Sequence, residues 1–191
     1  MRTYTTINYF PNLISFQLRK IIRNVRSSPQ RRKLWFKEIY VTMNHGNGGD
    51  DDESPALMLI LDVRTQWAST HQMLRRALDY RQAIDSYASR NRDLHSYELS
   101  DEEWATISMV SSWLKSFRSA TTQMSATKVP MLSTTHAIFR GLQDDIKTIL
   151  RGLPVTVPWA IKKGLLDAHE KLSDYYHKFD ESPFYTWAAC K

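Results

Sequence analysis

Six histidines, His45, His71, His95, His136, His169 and His177, are the side chains best suited to hold a metal or move a proton, and their spacing serves neither purpose. The closest pair, His169 and His177, lies eight residues apart, too far to chelate from one helical turn. No glycine-rich phosphate loop, G-x-S-x-G elbow or His-Glu-x-x-His sequence is present. The single cysteine, Cys190, excludes an intramolecular disulfide and a multi-cysteine zinc site, which fits a reducing compartment. Four adjacent acids, Asp50 to Glu53, lack the alternating ligands and downstream glutamate of a calcium loop. One carboxylate stands out by position. Asp62 ends an apolar run, where α/β nucleases place metal-binding acids, yet alone it cannot assemble a two-metal site. The favoured reading is a helix-entry aspartate beside Thr65.

The 191 residues hold 26 Lys+Arg against 20 Asp+Glu, a formal charge of +6. That excess is local. Residues 1–49 carry nine basic side chains and one acid, Glu38, giving +8, while the remainder is slightly acidic. A cationic first quarter could meet phosphate, and Arg19, Lys20, Arg23, Arg26, Arg31, Arg32 and Lys33 are the candidate contacts. Hydrophobic residues make up 42%, enough to bury a core, and no apolar run approaches the roughly 20 residues of a membrane span. The chain therefore reads as nuclear or cytosolic, neither secreted nor membrane-bound.

The elements that must position these residues follow from spacing. Leu13, Ile14, Leu18, Ile21, Ile22 and Val25 recur every three or four residues behind Pro11, predicting an amphipathic helix with its arginines on the polar side. Ser27-Ser28-Pro29 breaks it and restarts a second, with Ser28 as N-cap, Pro29 in the first turn, and Leu34, Trp35 and Ile39 inward. A glycine-rich acidic loop follows. Leu57 to Leu61 then reads as one buried strand, and Thr65 as the cap of a single long helix facing inward through Trp67, Met73, Leu74, Ala77, Leu78, Ile84, Tyr87 and Ala88. Ser100-Asp101-Glu102-Glu103 is a capping box ahead of Trp104, Ile107, Leu114 and Phe117. Two further helices are expected, one from about Ser133 to Gly152 and one opening at Pro158.

The segment Asp62-Val63-Arg64-Thr65-Gln66-Trp67-Ala68-Ser69-Thr70, with Met73-Leu74 and Ala77-Leu78, resembles the D-x-x-T-R-W-N-S-T…ML…AL stretch of hAT-family transposases. Three further stretches agree in order. Val25 to Arg32 is similar to the family's IRSSPQRR helix break, Leu99 to Trp104 to its LTxEEW, and Lys171 to Tyr176 with Ser182 to Tyr185 to its KLxKYY…SPxY.

The resemblance implies a mainly α fold: a helical bundle, the insertion domain of a ribonuclease-H-like transposase core, with one short orphan strand near 57–61. The expected organisation is a basic helical hairpin at 1–43, a flexible acidic and glycine-rich loop at 44–56, and strand plus helical insertion region of a truncated core at 57–191. Trp67 matches the family tryptophan that stacks on DNA, with Arg64 beside it, while Gln66 replaces the family arginine and with it a bidentate phosphate fork. The family's catalytic carboxylates, zinc finger and dimerisation segment would lie outside this chain. The expected function is thus a truncated or degenerate transposase segment with mainly phosphate-driven DNA binding, no catalytic residue, no metal and no cofactor. The alternative is a helical interaction module that uses the basic hairpin and the strand's open edge to bind a protein partner or the parent transposase.

Overall fold

The computed structural model describes residues 10–44, 56–63, 67–125, 132–155 and 157–180. Among them lie helices α1 (Phe10–Arg26), α2 (Pro29–Asn44), α3 (Trp67–Asp79), α4 (Arg81–Arg90), α5 (Asp101–Met124), α6 (Leu132–Gly152) and α7 (Trp159–Asp180), and a 3-10 turn spans Arg92–Tyr97. The chain divides into two compact units, Leu13–Ser111 and Met1–Asn12 with Ser112–Lys191. The basic hairpin is therefore not a body of its own. It shares a core with α3, α4 and the start of α5.

Local chemistry sets the helix boundaries where the sequence indicates. Pro29 opens α2 and the Ser28 hydroxyl accepts the Arg31 amide at 3.2 Å, satisfying one of the helix's orphan donors. At α5 the Glu103 carboxylate accepts the Ser100 amide at 2.8 Å while Ser100 Oγ accepts the Glu103 amide at 3.2 Å, a reciprocal capping box.

Leu18, Ile21, Ile22 and Val25 of α1 are fully buried, as their spacing requires. Trp35 of α2 lies against Tyr80 and Tyr87 in edge contacts, each with centroids 6.1 Å apart, and the Tyr87 hydroxyl donates to Asn24 Oδ1 of α1 at 3.0 Å. Leu34 is the exception. It is 51% exposed, because successive helical residues turn by about 100° and a face centred on Trp35 and Ile39 excludes it.

Two expectations are corrected. The single long helix breaks at Tyr80, whose buried ring packs on Trp35 and whose hydroxyl accepts the Leu57 amide at 3.1 Å. The strand near 57–61 is absent among the described residues: 56–63 is extended but pairs with no other strand. Side chains serve its carbonyls instead, Arg26 Nη1 donating to Leu59 O at 2.8 Å and Arg76 Nη1 to Met58 O at 3.1 Å.

In the second unit, α6 and α7 pack antiparallel. His136 stacks on Tyr176 with centroids 4.2 Å apart, and two turns further along α6 Gln143 Nε2 donates to Ser173 Oγ at 3.0 Å. Leu142, Ile146, Ile161 and Leu165 are buried there.

Trp35→Ala should lower the unfolding free energy by about 3–5 kcal/mol, and Leu34→Ala, one residue away, should change it by less than about 0.5 kcal/mol. Urea denaturation followed by circular dichroism measures both. Equal losses would contradict this packing.

Candidate nucleic-acid interface

The hairpin's charge is sorted by pairing. Arg19 follows the buried Leu18 and is itself buried. Its Nε donates to Asp62 Oδ1 at 2.7 Å and its Nη2 to Asp62 Oδ2 at 2.5 Å, while Thr70 Oγ1 donates to Oδ2 at 2.9 Å. The Asp62 side chain is 0% exposed. Burial pushes the Asp62 carboxyl up, but the hydrogen bonds from Arg19 and Thr70 and the Arg19 charge outweigh it and hold the group below its ordinary value. Arg19 is thereby corrected as a DNA contact, since a guanidinium committed to an interior carboxylate is out of reach of a phosphate. Asp62 is likewise a structural anion, with both oxygens engaged by a cation. Among the described residues, no group of three His, Cys, Asp or Glu side chains is placed to hold a metal.

Glu38, the one acid of the hairpin, also turns inward. It is buried, with Arg90 Nη1 donating to Oε1 at 2.5 Å and Ser86 Oγ to Oε2 at 2.7 Å. One positive and one negative charge thus leave the hairpin surface together, and the cationic surplus stays outside.

The remaining candidates fall into two groups. Arg26, Arg31 and Arg32 hold the turn between α1 and α2. Arg26 binds the Leu59 carbonyl, Arg31 Nη1 donates to Ser27 Oγ at 3.1 Å and lies 3.8 Å from Asp93, and Arg32 donates through Nε and Nη2 to the Arg26 carbonyl at 3.3 and 3.1 Å. That carbonyl ends α1, where cations are favoured by the helix dipole. Lys20 rides over the Phe16 ring at 5.2 Å. Arg23 and Lys33 are exposed and have no ion-pair partner among the described residues. Arg64 lies outside the described residues, and Trp67 is described only as the first residue of α3.

Lys37 is not among the candidate contacts that the sequence gives. It is exposed one turn beyond Lys33, and that four-residue spacing was the available signal. In the second unit, a groove of about 450 Å³ between α5 and α6 is lined by Ser116, Ser119, Gln123, Thr134 and Asp145 among others. With one carboxylate and no histidine it offers no acid–base pair.

The family described as the ZBED1 RNase-like helical domain matches residues 7–113. The "Putative transcriptional regulator tpeD" of Talaromyces stipitatus is 29% identical over 86% of this chain and 16% of its own length. The "Zinc finger BED domain-containing protein RICESLEEPER 2" of rice, Oryza sativa subsp. japonica, is 31% identical over 53% of this chain and 13% of its own. The chain thus spans a small part of the length of these relatives. No solved structure matches it.

Because the Asp62 carboxyl titrates lower folded than unfolded, its stabilisation is complete above the unfolded value of about 3.9 and is lost as pH falls through the folded value. Asp62→Asn should lower stability at pH 7 by about 3–5 kcal/mol by leaving Arg19 buried without its counter-charge, and should flatten the acid limb below about pH 4. Urea denaturation across that range measures it. An unchanged acid limb would contradict the assignment.

Proposed function

We propose that the chain, which belongs to the ZBED1 RNase-like helical domain family of hAT- and BED-type transposase-derived proteins, is a DNA-binding helical segment without a DNA-cleaving site of its own. The observation that carries the reading is the sorting of charge on the hairpin. Glu38 and Arg19 are buried in separate pairs, and the outward cations Arg23, Lys33 and Lys37 face solvent with no carboxylate against them among the described residues. Such a surface recognises phosphate with little base readout. The names of the two relatives, a putative transcriptional regulator and a zinc finger BED domain-containing protein, agree with a role on DNA and in the nucleus. The reading without cleavage is supported by Asp62, whose two oxygens already accept from Arg19 and Thr70.

A second reading has one observation in its favour. Leu34 is half exposed on the hairpin, so α2 could bind a protein partner or the remainder of a longer transposase. The route through an open strand edge is weaker, because Arg26 and Arg76 already occupy the Leu59 and Met58 carbonyls.

Fluorescence anisotropy with a labelled duplex at two salt concentrations separates the readings. Binding should fall steeply with salt, and the triple variant Arg23→Ala, Lys33→Ala, Lys37→Ala should weaken it at every sequence and reduce the logarithmic salt slope by about 2–3. These three residues are preferable to Arg26, Arg31 and Arg32, whose loss would also loosen the turn. No binding at low salt would overturn the proposal, as would metal-dependent nicking of the duplex.

A further inference from the structure

The outer face of α2 carries aromatic rings where a solvated helix would carry polar groups. Phe36 is 38% exposed and Tyr40 62%, on a helix whose core-facing side is occupied by Trp35 and Ile39. They stand four residues apart, so their rings are neighbours on the surface, with Cβ atoms about 5–6 Å apart. Neither ring stacks on another aromatic side chain among the described residues. At about 100° per residue, Arg32, Lys33 and Lys37 fall on the same side of the helix as the two rings. The only acid of α2, Glu38, is withdrawn to Arg90 and Ser86. One face therefore alternates cation and ring along two turns.

We propose that this face of α2 is a platform for single-stranded DNA, on which Phe36 and Tyr40 stack unpaired bases while Lys33 and Lys37 track the phosphates. This rests on the DNA-binding reading above and narrows it to unpaired strands. Duplex DNA uses the lysines but hides its base faces within the stack, which leaves both rings without a partner. A single strand satisfies cations and rings together, and it tolerates any sequence because every base has a π-face. A protein partner fits less well, because lysine is depleted in the buried centre of protein interfaces, and here lysines stand within a turn of each ring.

Fluorescence anisotropy of the full chain with a labelled oligo-dT and with a duplex of equal length, at one low salt concentration, tests it. The oligo-dT should bind about tenfold more tightly than the duplex. Phe36→Ala with Tyr40→Ala should erase that preference and leave duplex affinity and salt slope unchanged, and Tyr40→Phe should retain it. Lys33→Ala with Lys37→Ala should weaken both ligands together. Both aromatic positions are exposed, so the variants should keep the parent circular dichroism spectrum, and Tyr40→Phe guards against a folding artefact. Equal affinity for strand and duplex, indifferent to the rings, would overturn this inference while leaving duplex binding intact. Loss of binding to both ligands in the parent chain would overturn the broader reading as well. If the aromatic variants change the molar mass by light scattering and not the oligo-dT affinity, the face is a protein contact and the inference is wrong.

Discussion

The pairing of Arg19 with Asp62 constrains the first unit more than any other single interaction. Taking two charges out of water costs several kcal/mol per ion, recovered only when geometry is close to ideal and the remaining lone pairs are used. Here the contact is bidentate and Thr70 supplies a further donor. Arg26 stands two turns after Arg19 on the same side of α1 and binds the Leu59 carbonyl, so one helix grips the extended segment 56–63 at two points. Arg76 of α3 holds it from the Met58 carbonyl. A segment that would otherwise need sheet neighbours is instead pinned by three arginines from helices, and that fixes where α1 and α3 can lie along it.

The same grip decides what the hairpin can offer to a partner. With Arg19 and Arg26 turned towards 56–63, the next face of α1 presents Lys20 and Arg23. On α2, Trp35 and Ile39 face the core, and Glu38 beside them is drawn to Arg90. The outer surfaces are left cationic. Their surplus follows from which charges are paired inside, as much as from the composition of the first 49 residues.

Local features were legible because local chemistry decides them. The Ser28 cap, the Ser100–Glu103 box and the stripe Leu18, Ile21, Ile22, Val25 follow from neighbours a few residues away. Arg19 was not, since a period of 3.6 assigns every arginine to the polar side and its partner is 43 residues distant. The run Leu57 to Leu61 reads as a buried strand because hydropathy is silent about hydrogen-bond partners, yet only Leu59 of it is buried and Leu57 is 43% exposed. The break at Tyr80 carries neither glycine nor proline. It is made by tertiary contacts with Trp35 and the Leu57 amide, which no local pattern encodes.

The central claim is that the outward cations of the hairpin, and not basic residues elsewhere, are the surface that meets DNA. Lysine acetylation footprinting, read by mass spectrometry with and without DNA at low salt, addresses it residue by residue. Lys33 and Lys37 should become protected, while Lys147 of α6 and Lys162 of α7, equally exposed, should react as they do without DNA. Protection confined to α6 or α7, or no change at Lys33 and Lys37 when DNA is bound, would contradict the account.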